Sequence, residues 1–321
     1  MAFRIKLQQR GAGILAALAS AVCLGFTPVF GKLALNQGIA PLGVVAWRTV
    51  LAAALILVFV LAFYRSYLYV FPAAFYGCAL AGVINGSGSL LYYLGLDRLH
   101  AGVGQMIYSL YPFFLAIWLA FDGQRLGGLT LLRMLVATLG VVLLTAFQPG
   151  GANLVGTLMM LGAAAMYALH LPINQRVLYE VPAPTVTLYT LLAMSAVVVP
   201  AYLIFDPAPS AAAATSLPVL GLTLVTSLAR LTLFFGVKHI GGMQTALLGL
   251  AELLVAVLLS HWWLNENLSY LQWIGALALA ASLILVRYEK APSRMRTDHG
   301  GWFSWIRPPQ IPRDAPWGPH E

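Results

Sequence analysis

Glu252 and Arg230 are the side chains most able to do chemistry, because each is an ionisable group in the middle of a long apolar stretch. A lone charge at that depth in a bilayer costs about 2.5 to 3.5 kcal/mol on insertion scales, so each is expected to face a cavity or a partner. Counted from the turn near His239, the two differ in depth by about four residues, roughly 6 Å at the rise of a helix. An extended arginine spans that. Two roles follow: Arg230 binds an anionic group of a ligand while Glu252 holds Arg230 or exchanges a proton, or the two form a static pair that locks neighbouring helices. His170, with its near-neutral ordinary pKa, suits binding or proton exchange, and equally a hydrogen-bonded packing role.

Polar or small residues recur around these groups every three or four positions, the spacing of one helix face. One such stripe holds Ser20, Cys23, Thr27 and Gly31, and others hold Asn85, Ser89 and Tyr93, or Gln105, Tyr108, Ser109 and Pro112. Later in the chain come Ala163, Met166, His170 and Asn174, then Thr223, Ser227 and Arg230, then Gln244, Thr245, Gly249 and Glu252. A pseudo-symmetric cavity accounts for all six stripes, although small and polar faces also let helices pack closely. The candidate substrate-binding set is Asn85, Ser89, Gln105, Tyr108, His170, Arg230, Gln244, Thr245 and Glu252, with Glu252 also the candidate for proton coupling. Arg48 and Arg133 lie near span ends and are expected to reach out to the interface.

Enzyme readings fit poorly. Gly86-Ser87-Gly88 is similar to the serine motif of rhomboid-type proteases, but Asn85 replaces the first glycine. There is no His-Glu-x-x-His run, no phosphate-cradling loop and no pair of histidines or cysteines at ligand spacing. No catalytic residue, metal or cofactor is expected, and the chain is read as no enzyme.

The elements that must position these residues are membrane helices. The chain has 321 residues, 60% hydrophobic and 9% charged, whereas a soluble domain is about a quarter charged. The apolar stretches are long and unbroken, unlike the short alternating strands of a barrel. Hydropathy predicts spans at 11–33, 42–63, 72–95, 101–121 and 127–147, a break at 148–153, then 154–174, 184–205, 217–237, 241–264 and 269–287. The fold class is thus an all-α membrane protein of ten transmembrane helices.

The two series of five repeat each other. Pro28 to Lys32 reappears as Pro172 to Arg176, Ala40-Pro41 as Ala183-Pro184, Leu94 to Leu99 as Phe235 to Ile240, and Gly123 to Leu126 as Asn265 to Leu268. All four offsets fall between 141 and 144. An odd number of spans per copy inverts the second relative to the first, an arrangement with a ligand site near the midplane where the copies meet. The implied organisation is a cytoplasmic amino terminus over 1–10, repeats over 11–147 and 154–287, and a disordered cytoplasmic tail over 288–321. The basic start followed by an apolar run resembles a signal peptide, but its cleavage would leave one repeat incomplete.

The net charge of +8 records topology rather than nucleic-acid binding. Of the 18 lysines and arginines, thirteen fall on one side, Lys32 and Arg98 on the other, and Arg48, Arg133 and Arg230 within spans. Both termini are therefore expected in the cytoplasm, in a multi-pass protein of the plasma (inner) membrane. Cys23 and Cys78 lie within spans and imply no disulfide framework. The tail, with Trp302, Trp305 and Trp317 among basic residues and prolines, suits weak contact with an anionic lipid face.

These residues resemble the drug/metabolite transporter superfamily, in particular its ten-helix EamA-type members. The likeness rests on Pro28 and Lys32 ending the first span, Trp47-Arg48 in the second, Leu94-Gly95-Leu96 in the third, Pro112 in the fourth, and Glu252 with Leu264 to Leu268 in the ninth. Leu253, Gln124 and Arg133 depart from the family's usual proline, glutamate and glycine. The resemblance implies a secondary transporter that exports an amino-acid-like or drug-like metabolite by alternating access, with protons as a possible coupling ion and a homodimer left open. A nucleotide-sugar or sugar-conjugate carrier, which would need a cavity more basic than Arg230 alone makes it, is the first alternative. A non-transporting scaffold or receptor, which would show a cavity too tight for a ligand, is the second.

Overall fold

The structure is a computed structural model that describes residues 2–99, 101–123, 126–145, 153–206, 211–255, 258 and 270–288. Among them all regular secondary structure is helical. The first half holds α1 (Ala2–Gly25), α2 (Thr27–Asn36), α3 (Pro41–Phe63), α4 (Pro72–Arg98), α5 (Ala101–Tyr108), α6 (Tyr111–Phe121) and α7 (Gly128–Thr145). The second half holds α8 (Leu154–Leu178), α9 (Ala183–Phe205), α10 (Leu217–Ile240), α11 (Gly242–Gly249) and α12 (Tyr270–Ile284).

Local sequence sets the helix ends. A proline in the first turn opens α3, α4, α9 and α10, where its missing N–H costs nothing. The Asn153 side chain accepts from the Gly156 N–H at 3.1 Å and caps α8. Gly38 and Gly241 take φ of 81° and 85°, left-handed values open to glycine at little cost, and so turn the chain after α2 and between α10 and α11. Lys32 Nζ donates to the carbonyls of Leu96 and Leu99 at 3.2 and 3.4 Å, closing the free end of α4.

Among the described residues six helices are long and apolar enough to cross a membrane, with four shorter apolar helices at Tyr111–Phe121, Gly128–Gly140, Gly242–Val255 and Trp273–Ile284. At 1.5 Å per residue the 23-residue α3 spans about 35 Å, enough for the hydrocarbon core. Large apolar side chains such as Val58, Phe63, Leu135, Leu203 and Leu277 are exposed, an outer surface suited to lipid rather than water.

Packing follows the repeat. α4 packs on α8 as α1 packs on α10, α6 on α8 as α11 on α1, and α4 on α9 as α10 on α3. Exchanging the two series of five spans turns each pair into the next, while α3 with α9 and α7 with α12 map onto themselves. Glycine sets the closest approaches: a Cβ on Gly82 would stand 2.4 Å from Ala193 Cβ and 2.6 Å from the Thr190 carbonyl oxygen. One on Gly140 would stand 2.8 Å from the Leu279 nitrogen.

Among the described residues three spans are broken. The first turns at Phe26, between α1 and α2. The fourth breaks at Ser109 and Leu110 and the ninth at Leu250, positions that share the repeat offset. Pro172 lies inside α8 without ending it.

Some expectations need correction. α1 begins at Ala2, so most of 1–10 is already helical. Arg133 does not reach an interface: it is 0% exposed, its Nε donating to the Ser282 carbonyl at 3.1 Å while Ser282 Oγ donates to the Arg133 carbonyl at 2.9 Å. The close approach at Gly140 brings α12 near enough to supply those partners. Arg48 is buried too, for reasons given below. Residues 146–152, which hold all but Asn153 of the break at 148–153, the pair Gln124 and Arg125, the Leu264 to Leu268 run and the tail from 289 lie outside the described residues.

Candidate functional site

A cavity opens where the broken spans meet. It is lined by Leu24 and Thr27 from the first span, Arg48 from α3, and Asn85, Gly88, Ser89, Tyr92 and Tyr93 from α4. Gln105 and Tyr108 come from α5, Ala163 and Tyr167 from α8, Arg230 from α10, and Glu252 from the ninth span. Its open space is about 50 Å³, room for a few waters and not for a metabolite with the walls as they stand.

Glu252 sits in the first turn after the break at Leu250, and is 3% exposed. Its Oε1 accepts from Gln105 Nε2 at 2.9 Å, and Gln105 Oε1 accepts from the Tyr92 hydroxyl at 3.1 Å. That chain joins the broken ninth span of one repeat to the broken fourth span of the other. Tyr111, one repeat offset from Glu252, packs in the gap left by Gly249 and donates to the Ala246 carbonyl at 2.8 Å.

Arg230 makes a separate network. Its Nη1 lies 3.2 Å from His170 Nε2. An arginine only donates, so Nε2 accepts and the hydrogen sits on Nδ1, which meets the Tyr167 carbonyl. With the Asn85 amide turned so that its oxygen faces the guanidinium, that oxygen accepts from Nη1 at 2.8 Å and Nη2 at 2.7 Å. The Tyr167 ring lies 5.8 Å below the guanidinium carbon. The direct Arg230–Glu252 contact expected from their depths is absent among the described residues; both partners are taken by neutral amides or imidazole. They flank one cavity and do not lock α10 to the ninth span.

Arg48 was the residue least legible in advance. Its Nη1 donates to Thr226 Oγ1 and its Nη2 to Ser89 Oγ, both at 3.3 Å, and its guanidinium lies 4.8 Å over the Tyr93 ring. Hydroxyls and a ring face from α4 and α10 hold it inward, so it does not reach for an interface. α3 carries no polar stripe to announce this; the one signal is an arginine seven residues into an apolar span.

Tyrosines finish the wall. Tyr108 stands with ring centroids 4.9 Å from Tyr92 and 5.5 Å from Tyr167, and Tyr111 is 5.0 Å from Tyr167. Of the candidate set, Asn85, Ser89, Gln105, Tyr108, Arg230 and Glu252 line the cavity, and His170 stands directly behind Arg230. Gln244 and Thr245 are buried but not on its wall; Thr245 Oγ1 donates to the Gly241 carbonyl of its own helix at 2.8 Å. Arg48, Tyr92, Tyr93 and Tyr167 are lining residues outside that set.

Fold and site together define a polytopic helical membrane protein built around a polar cavity between two repeats. The profile of the EamA-like transporter family matches the chain twice, over residues 11–146 and 154–288. The chain belongs to that family, within the drug/metabolite transporter superfamily, and is a transporter by that membership. It is 23% identical over 312 residues to the "Uncharacterized transporter YcbK" of Bacillus subtilis (strain 168), covering 89% of this chain and 96% of that one. A protein of known crystal structure, 20% identical, superposes with a TM-score of 0.65 over 84% of this chain and 99% of its own, and so shares the fold.

Proposed function

We propose that the chain is a secondary transporter that exports a small organic metabolite across the plasma membrane, amino-acid-like or drug-like, by alternating access around this cavity. The observation that carries the reading is the Gln105–Glu252 hydrogen bond. It ties the broken span of one repeat to that of the other, at the place where discontinuous helices of inverted-repeat carriers hold their substrates and coupling ions. A proton arriving on Glu252 neutralises the acceptor of that link, turning a charge-assisted bond into a weaker neutral one, and so alters how the repeats are held together. Substrate enters when the repeats part on one side, its anionic group on Arg230, and leaves when they part on the other.

Arg48 favours a second reading. Two guanidiniums make the cavity more basic than Arg230 alone would, which suits a nucleotide-sugar or other anionic sugar-conjugate carrier. The small volume fits a carrier closed on both sides, and a non-transporting scaffold would also show it. Uptake of a labelled panel of amino acids, organic acids and sugar conjugates into proteoliposomes separates the three. Saturable uptake of one class names the carrier, and its loss in Arg230→Gln ties it to this cavity. No uptake of any compound by folded protein contradicts transport.

A further inference from the structure

Three polar atoms of residues that line the cavity have no partner in the protein. Thr27 Oγ1, Arg48 Nε and Tyr93 Oη are buried without a hydrogen bond, and all three residues line the cavity. Buried polar groups in native proteins are nearly always satisfied, and three orphans on residues that line one cavity point to a ligand. Arg48 is 7% exposed, and its other nitrogens reach hydroxyls only at 3.3 Å, the long end for a hydrogen bond.

Arg230, also 7% exposed, has neutral partners in His170 and Asn85. Glu252, the one carboxylate on the wall among the described residues, is bonded to Gln105 instead. Two guanidiniums therefore share a low-dielectric space, neither paired with an acid. Guanidinium forks match carboxylate and phosphate groups bidentately.

We infer that the cavity, widened as the repeats part, takes a compact organic dianion, one acidic group on Arg48 with the Thr27 and Tyr93 hydroxyls, the other on Arg230. The rings of Tyr108 and Tyr167, neighbours on the cavity wall, pack on its carbon skeleton. The inference rests on the carrier reading, in which a proton occupies Glu252 for part of the cycle and leaves the two guanidiniums to be balanced by two negative charges. A phosphate in place of one carboxylate presents the same chemistry.

The test is thermal unfolding and direct binding of the purified full chain with succinate, glutarate and 3-phosphonopropionate, each diacid matched against its monoamide. The diacids or the phosphonocarboxylate are expected to bind about tenfold or more tightly than the monoamides, because each buried charge contact is worth at least that factor. The preference is expected to vanish in Arg48→Gln and to return in part in Arg48→Lys. If Arg48→Gln does not fold, the comparison on the unaltered chain decides alone. Binding of 3-phosphonopropionate without either diacid assigns one end to a phosphate-like group. Equal binding of the monoamides, or no binding of any dianion, overturns the inference. Proteoliposome uptake of a monoanion or zwitterion in that case leaves the carrier reading standing, so the two failures are distinguishable.

Discussion

At the scale of single residues, the cavity places its charges on neutral partners. Gln105 both donates to Glu252 and accepts from Tyr92, so Gln105→Leu removes two hydrogen bonds from one buried site. Bonds to charged groups contribute about 1.5 to 3 kcal/mol each, which sets the expected loss of uptake at roughly tenfold or more. Uptake per folded molecule measures it, and unchanged uptake would remove Gln105 from the working site. Legibility differed sharply between these residues. Glu252 and Arg230 stood out because a charge in an apolar run is costly, and Asn85, Ser89 and Gln105 stood out by helical spacing. Their partners could not be read: depth along the membrane placed Arg230 and Glu252 within reach of each other, but rotation about two helix axes decides the contact, and His170, Asn85 and Gln105 intervene. Tyr92, Tyr93 and Tyr167 looked like ordinary packing aromatics, since tyrosine suits a core and a polar wall alike.

At the scale of helices, close packing and buried ion pairing can be tested apart from transport. Gly82→Val puts atoms against the Thr190 carbonyl and Ala193, backbone and Cβ that cannot swing away. Overpacking of this kind costs about 1 to 3 kcal/mol, so its thermal midpoint in detergent is expected to fall. Gly11→Ala, with nothing within 4 Å of the added carbon, is expected to leave it unchanged. Equal midpoints for both would contradict the α4–α9 packing. Arg176 Nη2 meets Asp122 Oδ2 at 2.6 Å, with the Asp122 side chain 0% exposed. Removing one partner of a buried pair costs about 3 to 5 kcal/mol, so Asp122→Asn is expected to unfold well below the unaltered chain, and a neutral result would mean the pair is solvated. The ten spans were readable from hydropathy alone. The breaks at Phe26, Ser109–Leu110 and Leu250 were not, because no proline or glycine falls on the broken residues themselves.

At the scale of the whole molecule, the repeat is the organising fact. A constant offset in sequence became a packing scheme in which helix pairs exchange between halves, with the cavity where the two sets of broken spans face each other. Arg48 shows where the symmetry fails: its span has no polar stripe, and the cavity takes a residue from α3 that has no counterpart among the lining residues of α9. The claim that Glu252 couples a proton to motion of the repeats is tested most directly by uptake into proteoliposomes under an imposed pH gradient, with the unaltered chain and Glu252→Gln side by side. The expected result is accumulation that follows the gradient in the unaltered chain and loses that dependence in Glu252→Gln, while the variant still folds. Accumulation that tracks the gradient equally in both would contradict it.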